Sequence, residues 1–199
     1  RWAIDTYENC GGNSPEEVAD TALRRMEEGF RHVRIQLGGY GTTGLVNNPD
    51  FKRAGFGMDR DKFMDPFTYS KGTHEIFEHT RKLCGEKVEL MHDMHERLQP
   101  VDAINLIKSL EEFRPYFIED PFSPENMRYF QLLRENTSVP IAMGELFNNP
   151  HEWIDPMKDQ LFDFIRIQIS QIGGITPAMK VARLGEAFNI RTAWHGPGD

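Results

Sequence analysis

Short apolar runs alternate with amphipathic stretches along most of this chain. Runs rich in β-branched and aromatic residues predict seven strands, and the stretches between them have helical periodicity. The helical stretches begin with turn and cap chemistry, as in Ser123-Pro124-Glu125 and Thr176-Pro177-Ala178. The predicted strands cover residues 4–8, 32–37, 88–92, 116–119, 139–144, 162–169 and 191–194.

Strict alternation of strands and helices is typical of parallel strands joined by crossover helices. It predicts either a doubly wound sheet or a β/α barrel. A closed (β/α)8 TIM-type barrel usually has eight strands and about 250 residues. We therefore expect residues 1–199 to be one partial barrel domain holding strands one to seven, with the eighth strand and any capping domain outside it.

Residues 38–70 interrupt the alternation with many Gly, Asn, Asp, Pro and aromatic residues and little periodicity. A loop this long inside a compact domain usually has a function. We expect a loop or lid over a site, and a disordered insert is the alternative.

Composition and charge restrict the class of partner. The hydrophobic share of 39% and charged share of 27% are typical of a soluble globular chain, and no apolar run reaches the ~20 residues of a membrane helix. A net charge of −8 argues against nucleic acid, because phosphate binding needs a basic face. Cys10 and Cys84 lack metal-type spacing and suggest reduced thiols in a cytoplasmic protein, although a disulfide between them is an alternative. An anionic substrate would need a local cation.

Three acids stand at the ends of consecutive predicted strands. Asp93, Glu119 and Glu145 are separated by 26 residues in each step (119 − 93 and 145 − 119), so each has the same place in its βα unit. In a parallel barrel that place is the C-terminal rim, where active sites lie. Converging carboxylates require a cation between them, and oxygen ligands suit Mg²⁺. The alternative is that each acid only caps the following helix.

Three further residues are predicted to lie near these acids. His95 follows Asp93 by two residues, so on an extended segment both side chains point to one side and His95 could act as an acid or base. Arg166, in the sixth predicted strand, could reach a substrate carboxylate or form an ordinary ion pair inside the barrel. His195 ends the seventh strand, close to two repeats beyond Glu145, and is expected at the same rim.

Several motifs resemble the enolase superfamily and, within it, the mannonate dehydratase family of acid-sugar dehydratases. They are ELMHDMHERL at 89–98, FIEDPF at 117–122, AMGELF at 142–147, ISQIGGIT at 169–176 and WHGP at 194–197. The resemblance covers most of the chain and is weakest in the loop that begins at residue 39. It implies Mg²⁺-dependent dehydration of a D-mannonate- or D-gluconate-type sugar acid to a 2-keto-3-deoxy acid.

The resemblance implies that Asp93, Glu119 and Glu145 are the Mg²⁺ ligands and that His95 is the acid that helps the 3-hydroxyl leave. The chemistry has a physical reason. Removing a proton beside a carboxylate builds a second negative charge on that group, and a bound metal stabilises it as a Lewis acid. Metal-stabilised ene-diolates are the known pattern of the superfamily.

On the other side of the substrate, the resemblance implies that Arg34 assists a tyrosine that takes the α-proton. Tyr40 follows Arg34 by only six residues, closer than the family's spacing, and Tyr69 is far downstream. The resemblance also implies that Arg166, His195 and Arg34 bind the substrate, with His195 contributing to catalysis. We further expect a homo-oligomer.

Two other functions remain open at the level of sequence. One is a protein that keeps the metal site but acts in binding or regulation rather than catalysis. The other is a barrel hydrolase that holds a transition metal with His92, Asp93 and His95. Adjacent residues of a strand point to opposite sides, so His92 would point away from Asp93.

Overall fold

The computed structural model describes residues 5–38, 45–47 and 62–196, with the backbone alone for 45–47, 62 and 63. The chain divides into two compact units, Arg1–Met91 and His92–Asp199. Within the described residues, seven parallel strands form one sheet in the order β1 (Tyr7–Gly12), β2 (His32–Leu37), β5 (Glu89–Asp93), β6 (Phe117–Glu119), β7 (Ile141–Met143), β8 (Phe164–Ile165) and β9 (Arg191–Thr192). Strands β3 (Leu45–Asn47) and β4 (Lys62–Met64) form a separate antiparallel pair. The predicted alternation of parallel strands with helices is therefore present.

The first unit contains β1, α1, β2, the β3–β4 pair, α2 and the start of β5. Helix α1 begins where the Ser14 hydroxyl accepts the Glu17 N–H, and the Glu17 carboxylate accepts the Asn13 N–H in return. Their bounds are β1 Tyr7–Gly12, α1 Pro15–Glu27, β2 His32–Leu37, β3 Leu45–Asn47, β4 Lys62–Met64, α2 Pro66–Cys84 and β5 Glu89–Asp93.

Strand β1 starts at Tyr7, three residues after its predicted start at residue 4, and ends at Gly12. The predicted strand stopped before Gly11 and Gly12, which are turn residues in most contexts. Here they pair with Gln36 and Leu37 of β2. A Cβ on Gly12 would lie 2.7 Å from the Cβ of Glu17, so glycine lets helix α1 approach the end of the strand closely.

The segment 38–70 contains regular structure in its described parts. Leu45 pairs with Met64 in the β3–β4 pair, and helix α2 starts at Pro66, within the predicted loop. The Asp65 carboxylate caps α2 by accepting the Thr68 N–H at 2.9 Å. The remainder of the segment, including Tyr40, lies outside the described residues, so the lid stays a prediction.

The second unit contains the end of β5 and the four remaining βα steps. Phe117 of β6 and Phe164 of β8 stack with their ring centres 5.0 Å apart, and both are buried. The regular part of β8 is shorter than predicted, although its pairing continues through a bridge between Gln168 and His195. The bounds are α3 Pro100–Ser109, β6 Phe117–Glu119, α4 Met127–Asn136, β7 Ile141–Met143, α5 Ile154–Lys158, β8 Phe164–Ile165, α6 Ile175–Ala187 and β9 Arg191–Thr192.

Candidate metal centre

The three predicted ligands follow consecutive strands of the second unit. Asp93 and Glu119 are the last residues of β5 and β6, and Glu145 stands two residues beyond β7. Asp93 is 1% exposed and Glu119 is fully buried. The Met94 N–H donates to the Glu119 carbonyl at 3.0 Å, which ties the ends of β5 and β6 together. The predicted place of these acids at strand ends therefore agrees with the structure.

Gly144 makes the turn that presents Glu145. Its φ is +134°, a conformation that residues with side chains rarely adopt. A Cβ there would lie 3.0 Å from Ile165 and 3.1 Å from Phe147. Glycine is thus required by both the backbone conformation and the packing, and the turn moves the next side chain out of the strand alternation.

Glu119, Glu145 and His195 form one group of potential ligands. Each offers an atom, and these atoms lie within 4.8 Å of one another. His195 Nε2 is 3.3 Å from the Glu145 carboxylate, and both side chains are largely buried. The His195 ring beside it is the main reason that the pKa of Glu145 is lowered. His195 therefore lies beside Glu119 and Glu145, as predicted.

Asp93, His95 and Asp120 form a second group, again with atoms within 4.8 Å of one another. His95 reaches this position by a different path from the one expected. Strand β5 ends at Asp93, and His95 lies in a turn with φ +50°, so the extended geometry assumed from sequence does not apply. The turn is held by the Glu96 N–H, which donates to the Asp120 carbonyl at 2.9 Å.

Asp120 is a member of this group that the sequence did not predict. It directly follows Glu119, so a regular strand would point it away, and only its place in the motif FIEDPF drew attention to it. The residue has φ +41° and is 1% exposed. Neither carboxylate oxygen has a hydrogen-bond partner among the described residues. Burial raises its pKa well above the usual value, and the charges of neighbouring acids add to this.

Arg166 is fully buried and forms an ion pair with Glu119 through Nε. Its Nη1 also donates to the Trp194 carbonyl at 3.4 Å. This arrangement is the internal ion pair that the sequence left open as the alternative to substrate binding. Glu119 is itself a predicted metal ligand. One of its carboxylate oxygens is therefore already paired with the guanidinium of Arg166.

The donor set fits a divalent cation. Among the described residues, two groups each combine two carboxylates with one imidazole, and one of these acids has two buried oxygens without a hydrogen-bond partner. Oxygen-rich sets of this kind suit Mg²⁺. Among the described residues, Asp93 is not in one 4.8 Å group with both Glu119 and Glu145. His92, needed by the hydrolase alternative, is buried and absent from both groups.

The predicted proton-abstracting pair lies in the first unit. Arg34 is buried, its Nε donates to Asn9 Oδ1 at 2.8 Å, and its guanidinium lies 5.6 Å from the centre of the Tyr7 ring. Tyr40 lies outside the described residues. Tyr69, the other tyrosine considered, is fully buried in α2. The role of the Arg34–Tyr40 pair stays a prediction.

Within the part of the chain that the structure describes, every helix is too short or too polar to cross a membrane.

Residues 17–199 match the protein family described as enolase C-terminal domain-like. The D-galactonate dehydratase family member RspA of Pantoea ananatis is 42% identical over 211 residues, which cover 100% of this chain and 51% of the relative. A D-galactonate dehydratase family member of Enterocloster bolteae is 41% identical and covers 100% and 49%. The chain thus spans about half the length of the curated relatives it matches.

Solved structures show the same arrangement. An enolase from Pantoea ananatis, with D-gluconate and Mg bound, superposes with a TM-score of 0.88 at 40% identity, covering 98% of this chain and 50% of that one. A dipeptide epimerase from Enterococcus faecalis V583 superposes at 0.75 with 17% identity, covering 96% and 47%, and supports the fold alone. These likenesses confirm the predicted fold class.

Proposed function

Because this chain belongs to the enolase C-terminal domain-like family, we propose that it supplies the metal centre of a Mg²⁺-dependent sugar-acid dehydratase. The observation that supports the proposal is that Asp93, Glu119 and Glu145 stand at or just beyond the ends of β5, β6 and β7, where Asp93 groups with His95, and Glu119 and Glu145 group with His195. A structural cap for each helix would not require acids at neighbouring strand ends to lie close to histidines.

Asp93, Glu119 and Glu145 would hold the cation. Held there, Mg²⁺ would act as a Lewis acid and lower the cost of negative charge developing on the substrate carboxylate. Arg166 would hold Glu119 in place through their ion pair, because a buried charge needs a compensating partner. Direct binding of substrate by Arg166 stays a prediction, since its guanidinium is fully buried.

The chain's own residues supply the proton transfers. Tyr40, assisted by Arg34, would take the proton from carbon 2, and the carbon–oxygen bond at carbon 3 would then break. His95 is partly exposed, next to Asp93, and would give its proton to the departing hydroxyl so that water leaves. His195, paired with Glu145, would orient a substrate hydroxyl or carboxylate. The enol left at carbon 2 would lose its hydroxyl proton and gain one from solvent at carbon 3, which gives a 2-keto-3-deoxy sugar acid.

D-Gluconate and D-mannonate are the first substrates to test. The solved relative from Pantoea ananatis holds D-gluconate and Mg, and the curated relatives carry the name D-galactonate dehydratase family, so D-galactonate belongs in the same panel. A cytoplasmic location and a homo-oligomeric state stay predictions.

The deciding experiment measures formation of 2-keto-3-deoxy acids from this panel, with excess Mg²⁺ and with a chelator. We expect Mg²⁺-dependent turnover of at least one acid. Binding of Mg²⁺ and of a sugar acid without turnover would contradict the enzymatic proposal and favour a binding or regulatory protein. Tight retention of Zn²⁺ without formation of a 2-keto-3-deoxy acid would favour the hydrolase class.

A further inference from the structure

Asn9 contacts the side chain of Arg34 in the first unit. The Arg34 Nε donates to Asn9 Oδ1 at 2.8 Å, and Arg34 is 5% exposed. Because Nε–H can only donate, the amide oxygen of Asn9, rather than its nitrogen, faces the guanidinium. The two residues are register partners on the parallel strands β1 and β2. The proposed reaction gives Arg34 a role and gives none to Asn9.

A second contact restricts the same guanidinium. Its central carbon lies 5.6 Å from the centre of the Tyr7 ring, within the range of a cation–π contact. Tyr7 and Asn9 are two residues apart on β1, so their side chains point to the same face of the sheet. An arginine side chain is long and can adopt many rotamers. The bond at Nε and the ring face together restrict the directions in which the terminal NH2 groups of Arg34 point.

Both of these contacts are made with uncharged groups. The guanidinium of arginine stays protonated at all ordinary pH values. A carboxylate at the place of Asn9 would also accept the Nε–H, but its negative charge would offset the positive charge of Arg34. An amide oxygen orients the guanidinium without this loss. That property suits a cation that assists a base in taking a proton from carbon 2.

We propose that Asn9 is a positioning residue for α-proton abstraction, acting through Arg34. The inference rests on the role of Arg34 in the proposed function and adds a residue to it. The orientation of a catalytic group has a large effect on rate, and a displacement of about 1 Å can lower the rate about 100-fold. The competing explanation is that Asn9 only helps to hold β1 against β2.

Asn9→Ala tests the positioning role because it removes the acceptor of the Arg34 bond. Exchange of the α-proton with deuterium and kcat should both fall by ~10- to 100-fold, whereas KM and Mg²⁺ affinity should change little. Asn9 is exposed, so the unfolding temperature should stay within ~2 °C of that of the native protein. Asn136→Ala, at an exposed position of α4, is the matched control and should leave the exchange unchanged. Native exchange and native kcat in Asn9→Ala would overturn the inference.

Asn9→Asp keeps the shape and the acceptor but adds a negative charge. At high pH it should recover most of the kcat that Asn9→Ala loses. The rising limb of its kcat profile should move to higher pH, because the added charge opposes formation of an anionic base assisted by Arg34. A role only in strand pairing would leave that limb in place, so an unchanged limb would contradict the inference.

Nuclear magnetic resonance of the guanidinium gives a readout that does not need turnover. The Arg34 Nε–H signal, assigned by its loss in Arg34→Lys, should exchange with water faster in Asn9→Ala than in the native protein. Equal exchange rates would show that Asn9 does not hold Arg34. If the native protein turns over no sugar acid, the proposed function fails and the inference fails with it. If it does turn one over and Asn9→Ala is equally active, only the positioning role fails.

Discussion

In the second unit, the buried charge of Glu119 is compensated by the buried charge of Arg166. Glu119 and Arg166 are both buried and bound to each other, and this pair lies next to further acids. Breaking a buried pair by removing one partner is costly because the other charge is left uncompensated. The stability of the unit in the absence of metal should therefore depend on Arg166.

Arg166→Met should lower the free energy of unfolding by ~3–5 kcal/mol in the absence of divalent cations. The double variant Arg166→Met/Glu119→Gln should lose less, because it no longer buries a lone charge. Urea denaturation in the presence of a chelator measures both. A single variant within about 1 kcal/mol of the native protein would show that the pair does not compensate Glu119.

A variant of His95 tests proton transfer separately from metal binding. His95→Asn removes the titratable ring but keeps a polar side chain of similar size, so Mg²⁺ affinity should change little. Turnover of the sugar acid should fall by ~10²- to 10⁴-fold, the usual worth of a general acid. Exchange of the α-proton with deuterium should persist in part, because only the later loss of hydroxide is blocked. Unchanged turnover would remove His95 from the mechanism.

At the scale of elements, turns between strands and helices hold the acids in place. Gly144→Ala should destabilise the protein by ~1–3 kcal/mol or more, because φ +134° is strained for alanine and the space is occupied. It should also weaken Mg²⁺ binding by displacing Glu145. Gly29→Ala is the matched control: φ is +101° there and a Cβ would meet nothing within 4 Å. It should lower stability while leaving Mg²⁺ affinity intact.

Hydrogen bonds to the Glu111 carboxylate, in the turn after α3, predict that stability depends on pH. The Glu111 carboxylate accepts the Thr137 hydroxyl at 2.6 Å and the Ser138 N–H at 3.0 Å, and these bonds lower its pKa below 4.5. A group with a lowered folded pKa stabilises the protein above the unfolded pKa and loses this effect as the pH falls through the folded pKa. The link between the turn after α3 and the start of β7 should therefore weaken in acid.

Glu111→Gln should be less stable than the native protein at neutral pH, and the difference should shrink as the pH falls from about 5 to about 2. Urea denaturation across this pH range measures it. Glu135→Gln, at an exposed position of α4, is the control and should show no such pH-dependent difference. A constant difference at all pH values would show that the charge of Glu111 is not responsible.

At the scale of the whole molecule, cation binding and folding should be coupled. A ligand that binds only the folded state adds about 2.7 kcal/mol of stability at a free concentration of 100 times its Kd. Chelator-treated protein should therefore unfold at a lower temperature than protein with Mg²⁺, and the shift should grow with the logarithm of Mg²⁺ concentration. Equal unfolding temperatures with and without Mg²⁺ would contradict a centre formed only on folding.

Local pattern was sufficient for the order of strands and helices and for the strand-end acids. Apolar periodicity places a strand, and the equal spacing of Asp93, Glu119 and Glu145 places each acid at the same point of its βα unit. These properties depend on residues close in the chain. The parallel α/β class, as a doubly wound sheet or a barrel, and the place of the acids at strand ends both follow from them.

Only the tertiary structure decided which side chains meet. The turn at His95, the left-handed Asp120 and the pairing of Arg166 with Glu119 depend on contacts between segments tens of residues apart. Sequence alternation pointed Asp120 away from the centre, because it assumes a regular strand that positive φ interrupts. The strand ends were therefore predictable from sequence, whereas the ligand groups required knowledge of how neighbouring strand ends pack.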